Sequence, residues 1–124
     1  MFAATYNQKN DLEKQVSSSD DQRWTQERAK KWQHNKRWLC GFNYIPSSAV
    51  NFIEMWHSET FDPDIIEAEL KLASNIGFNS VRTNLQFVLW QDNQKGFHQR
   101  VERFLEIADR QNVATTFCLF DDCG

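Results

Sequence analysis

Cysteine, glycine and proline are all scarce in this chain, at three, four and two residues out of 124. Three cysteines without a C-x-x-C spacing supply neither a disulfide framework nor a structural zinc site. Cys40 and Cys118 fall inside β-prone runs, where a thiol is expected to act as a small buried hydrophobe. A nucleotide fold needs a Gly-rich turn directly after the first strand, and the stretch GFNYIPSSAV is no G-x-G-x-x-G. No apolar run reaches the length of a signal-peptide core or a membrane span, so as it stands the chain carries no export address and no membrane partner is expected. An excess of positive charge is missing as well. With fourteen Lys and Arg against seventeen Asp and Glu the net charge is -3, which disfavours a general nucleic-acid partner, because neutralising phosphate needs clustered cations.

What the chain has in quantity is aromatic carbon. Phe, Trp and Tyr make up 14% of it, with five Trp, enough large side chains to fill a core and leave some as platforms for apolar ring faces. The length, with 40% hydrophobic and 25% charged residues, fits one globular domain.

Residues 1–23 are polar and without sustained period, and read as a flexible leader. Thr25 is a plausible N-cap for a short helix over QERAKKWQHN, with Ala29 and Trp32 on one side and a solvated Lys/Arg face on the other. A first strand is expected over residues 39–44, with Gly41 marking a bend or a close backbone approach and Pro46 ending the run. A long loop over 47–61 follows, with room for a helical turn. Asp62-Pro63 then opens a helix to Ile76, whose Ile65, Ile66, Leu70, Leu72, Ala73 and Ile76 form a broad apolar arc, and Gly77 stops it. The stretch GFNSVRTNLQFVLW carries a second strand over 79–85 and then a loop. Phe97, Val101, Phe104, Leu105 and Ala108 recur with helical period over 97–111, Asn112 ends that helix, and VATTFCLF gives a third strand over 113–120.

The order is β-α-β-α-β, with short helix-to-strand turns and long strand-to-helix loops. That asymmetry is expected of parallel α/β folds, which bind ligands at the C-terminal ends of their strands. Without a phosphate-cradling loop, a barrel is preferred over a nucleotide-binding βαβ protein. The expected fold is therefore an incomplete (β/α)8 TIM barrel: residues 24–124 hold its first three parallel βα units, and the remainder of the barrel is required.

The segments GFNYIPS (41–47), EMWHSETFDP (54–63), GFNSVR (77–82) and LFDDC (119–123) carry a resemblance. Together with the helix patterns between them, residues 24–123 resemble the start of bacterial cellulase-like or xylanase-like proteins, in the clan of (β/α)8 glycoside hydrolases that includes family 5. The resemblance implies hydrolysis of O-glycosyl bonds in a β-glycan, no cofactor, and an extracytoplasmic or secreted location. It also implies that the acid/base and nucleophile carboxylates come from the ends of strands four and seven, so no catalytic residue is expected among these residues. It maps Arg82 onto the arginine that lies beneath the nucleophile and holds it ionised. Asn43, Trp56, His57 and Glu59 stand where sugar hydroxyls and ring faces are met, and Asp121 and Asp122 close the third strand as polar, sugar-facing residues. Those two aspartates are adjacent on a strand and point to opposite faces, so they cannot serve one site as an acid/base pair. Glu54 reads as part of a solvated loop face, and His34 and His98 lie on solvent-facing helix positions and are assigned nothing. The alternative from another class is a non-catalytic carbohydrate-binding or scaffold remnant of the same barrel.

Overall fold

The structure is a computed structural model that describes residues 23–35 and 37–120. Nearly all of the expected leader, and both Asp121 and Asp122, lie outside the described residues. The chain divides into two compact units, Met1–Arg37 and Trp38–Gly124. The composition changes at residue 24, but the structural division comes later, between 37 and 38.

In the first unit, helix α1 spans Gln26–His34. The Thr25 hydroxyl caps it by accepting the amide of Arg28 at 3.2 Å, and none of its residues is buried.

The second unit runs β1 (Gly41–Asn43), α2 (Phe52–Trp56), α3 (Pro63–Asn75), β2 (Ser80–Asn84), α4 (Phe87–Asp92), α5 (Gln94–Arg110) and β3 (Ala114–Cys118). The three strands form one parallel sheet in the order β1-β2-β3. Each strand is shorter than its apolar run suggests, although main-chain bonds from Asn79 N to Cys40 O, Tyr44 N to Arg82 O and Leu85 N to Cys118 O prolong the contact at the ends.

Both long helices are launched and stopped by local chemistry. Asp62 accepts the amides of Asp64 and Ile65 at 3.0 Å each, with Pro63 in the first turn where a missing N–H costs nothing. The two helix-to-strand turns are the same device used twice. After α3, Gly77 adopts φ 103°, its amide donates to Ser74 O, and the amide of Phe78 donates to Ala73 O. After α5, Asn112 adopts φ 56°, its amide donates to Asp109 O, and that of Val113 to Ala108 O. Both are Schellman caps, with an alanine near the end of the helix and an apolar residue just past the left-handed one. They deliver β2 and β3 in register, Ser80 beside Ala114.

The core lies on one face of the sheet. Strand residues alternate in direction, and Tyr44, Val81 and Thr83 point to the face on which Ile66 and Leu70 of α3 and Phe104 and Ile107 of α5 are buried. Trp56 sits in the middle, fully buried, stacked on Phe61 at 6.1 Å and met edge-on by Phe97, Phe104 and Phe117. Its indole N–H donates to Asn84 O at 2.7 Å, so the only polar atom of the ring is satisfied.

Several expectations are corrected. The room left for a helical turn within 47–61 is filled by α2, whereas the stretch after β2 read as loop is helix α4. Leu72 and Ile76 are exposed, because the buried stripe of α3 is the narrower Ile66-Leu70-Ala73 line at spacings of four and three. Leu105 is largely exposed and Ile107 is buried in its stead. Cys40 is exposed, since it precedes β1 and its side chain is outside the core; Cys118 is half-buried.

Candidate functional site

Within the second unit the buried helix residues lie on the face of Val81 and Thr83; on the opposite face Asn43, Arg82 and Thr116 are exposed, while Ser80 and Asn84 are buried. The side chains of that opposite face come from the other alternation: Gly41, Ser80 and Ala114 in one row, Asn43, Arg82 and Thr116 in the next, then Asn84 and Cys118. All are small or polar. In the middle row Arg82, exposed, stands between Asn43 and Thr116, also exposed, in direct register. Arg82 is the third of the five residues of β2 rather than its tip. Among the described residues no hydrogen bond or ion pair compensates its charge, so the row presents one cation flanked by two neutral hydrogen-bonding side chains. A planar guanidinium in that setting suits a carboxylate or hydroxyl acceptor brought to the face.

Gly41 makes this geometry possible. A Cβ there would lie 2.7 Å from the carbonyl carbon and 2.8 Å from Cβ of Ser80, so β1 reaches β2 at this point only without a side chain. The close approach expected of Gly41 is present.

The other candidates fall elsewhere. Trp56 is expected from the sequence to offer a ring face to sugar, and that expectation is overturned, because the ring is 0% exposed and packed on every side by aromatic neighbours. Its neighbour His57 caps the C-terminus of α2, half-buried, and its Nδ1 accepts the amide of Glu59 at 3.4 Å. Glu59 is exposed in the turn that follows. Neither belongs to a strand, so the row on the open face unites Asn43 and Arg82 but not His57 or Glu59. Glu54 starts α2 rather than lying idle on a loop. Its carboxylate accepts the amide of Val50 at 3.0 Å while its own amide donates to the Asn51 side chain at 2.9 Å, a reciprocal arrangement that satisfies two free amides at the helix start.

Two features are not expected from the sequence. An apolar groove of about 270 Å³ opens where β2 and β3 end, lined by Leu85, Phe87, Trp90, Phe97, Val101 and Leu119, with Gln86 and His98 as its polar lining residues. The Phe87 and Trp90 rings stand 5.5 Å apart. The signal that points to it is the aromatic run QFVLW, which reads as loop because α4 has no side-chain cap to announce it. The second feature is a polar tie beneath the site. Arg100 Nε donates to Trp56 O at 2.6 Å, and burial pulls the pKa of this guanidinium down. Tyr44, also buried, donates its hydroxyl to Glu69 Oε2 at 2.8 Å, while Glu69 Oε1 accepts the amide of Ser47. Burial first, and the Glu69 carboxylate second, push the phenol far above its ordinary range.

Among the described residues no group of three or more His, Cys, Asp or Glu is placed to hold a metal ion. What the fold defines is a class: a parallel sheet with its buried helix residues on one side and a small-and-polar opposite face. In comparison with known proteins, the chain matches no family model, no curated protein and no solved structure.

Proposed function

We propose that residues 38–124 are the opening βα units of a (β/α)8 glycoside hydrolase acting on a β-glycan of the cellulose or xylan type. The observation that carries this reading is the in-register row Asn43-Arg82-Thr116 on the opposite face. In a closed barrel of this kind the helices lie outside and the opposite face lines the interior, so the row is where a charged, sugar-facing layer belongs. Sequential strand order and the repeated Schellman turn support the same reading, since a barrel is one unit repeated.

Glycoside hydrolysis with retention uses two carboxylates about 5 Å apart, one as nucleophile and one as acid/base. In this reading both come from further strands. Arg82 is then a positioning residue: its guanidinium, brought within about 4–6 Å of the nucleophile, favours the ionised carboxylate and fixes its orientation. Asn43 offers an amide to a substrate hydroxyl, and the exposed Glu59 and half-buried His57 stand in the loop that follows β1 in this scheme.

The test is to express the complete reading frame that encodes these residues and assay release of reducing sugar from xylan and carboxymethylcellulose. Hydrolysis of either polymer is expected. A protein that hydrolyses no glycan overturns the assignment.

A further inference from the structure

Charge is distributed very unevenly along this chain. Residues 23–37 hold six of the fourteen Lys and Arg and one of the seventeen Asp and Glu, so this stretch is five charges positive while the rest of the chain is eight negative. Helix α1 lies within it and buries none of its residues. Its two sides differ. At 100° per residue, Arg28, Ala29 and Trp32 share one side, and Lys30, Lys31 and His34 share the other. Trp24 packs onto the first side: its ring centroid is 6.2 Å from that of Trp32, at an interplanar angle of 73°, and the Arg28 guanidinium lies 4.4 Å over it. Both indoles are still about half exposed, at 49% and 48%.

We propose that α1 and its flanks form an interfacial anchor that lays the chain on an anionic lipid surface, with the Trp24-Trp32 wedge at headgroup level and the surrounding Lys and Arg against the lipid charges. Indoles favour that depth because they are apolar with one polar atom, and juxtaposed cations supply the attraction. Lying on a bilayer makes no demand for a spanning segment, and among the described residues no helix is long and apolar enough to cross one. Single-stranded nucleic acid is the other polyanion that aromatic and basic residues recognise, but it needs flat ring faces on which successive bases stack. Here one face of Trp24 is covered by Arg28, and the rings meet at a steep angle. The apolar contribution is confined to two indoles and an alanine, so the association is governed by charge and sensitive to salt.

The test is flotation of the 124-residue chain with vesicles in a density gradient, in which bound protein rises and aggregated protein sinks. With phosphatidylcholine vesicles containing about a third phosphatidylglycerol, the chain is expected to float at low salt and to lose roughly tenfold in affinity at about 0.5 M salt. Pure phosphatidylcholine vesicles are expected to leave it at the bottom. The double variant Lys30→Glu, Lys31→Glu is expected to weaken flotation roughly tenfold. Arg37→Glu, outside the helix, is expected to weaken it by a smaller factor and separates loss of charge from loss of helix. No flotation with anionic vesicles, equal flotation with neutral ones, charge variants that bind like the parent, or tighter binding to an oligothymidylate than to the vesicles would each overturn the proposal.

Discussion

The two faces of the sheet are made of the same three strands and have opposite physical roles. On the covered face Tyr44, Val81 and Thr83 are each at most 4% exposed; Tyr44 packs on Phe104 of α5, Thr83 meets Met55 of α2, and Val81 belongs to the same buried cluster. Thr83 donates its hydroxyl to the Met55 sulfur at 3.3 Å, whereas the Thr115 hydroxyl, in register with Val81 on the same face, is buried without a hydrogen-bond partner among the described residues. On the open face Asn43, Arg82 and Thr116 contribute little buried area and carry the hydrogen-bonding capacity of the sheet. Burial thus differs between the two faces, although Ser80 and Asn84 of the open face are buried and Phe42 of the covered face is exposed, and substitutions on the two faces should differ in their cost to stability.

The largest loss is expected on the covered face. Trp56→Ala removes the ring that four other aromatics pack against and leaves the Asn84 carbonyl without its donor. It should cost about 3–5 kcal/mol, read as a lowered urea midpoint, and that is enough to unfold a domain of ordinary marginal stability. Next comes a position where the comparison breaks down. Gly41 belongs to the open face, yet Gly41→Val would press a side chain into the Ser80 backbone, and a loss of about 1–3 kcal/mol is expected from overpacking, measurable in the same titration.

Tyr44 sharpens the comparison through pH. Its phenol pKa is raised in the folded chain above the ordinary value of 10.0, by burial and then by Glu69. The stability it supplies is therefore whole below about pH 10, and declines as pH rises past that point because only the unfolded phenol ionises there. The expected slope is up to about 1.4 kcal/mol per pH unit. Unfolding free energies measured across that range should show it, and Tyr44→Phe should flatten it. The smallest change is expected at the surface link between the long helices: Arg110→Ala, which breaks an exposed ion pair to Glu67 at 3.1 Å, should cost less than about 1 kcal/mol.

The chain is most readable as a sequence where local chemistry and period agree. Asp62-Pro63, Gly77 and Asn112 mark helix ends by capping rules that need no tertiary context, and each is found in its expected role. The three strands are present within a few residues of where β-prone runs place them. The short helix α4 is not readable and α2 is readable only as room for a helical turn, because five or six residues span too few turns to show a period. For the same reason Trp56 looks like a loop aromatic in the sequence: only the fold brings Phe61, Phe97, Phe104 and Phe117 around it from separate parts of the chain. Of the candidate site, the pairing of Asn43 with Arg82 follows from strand alternation once register is known. The groove beside the Phe87-Trp90 pair depends on the angle between α4 and α5, which no residue pattern encodes.

The most direct test of the proposed function is Arg82→Ala in the protein expressed from the reading frame that encodes these residues, with unfolding free energy and release of reducing sugar from glycan measured on the same preparation. The guanidinium is exposed on the open face, away from the core, so stability should stay within about 0.5 kcal/mol of the parent. Turnover should fall by roughly 10² in kcat as the nucleophile loses its positioned charge. A variant that keeps the parent rate, or one whose rate falls only in step with its stability, would contradict the division of the sheet into a stabilising face and a working one.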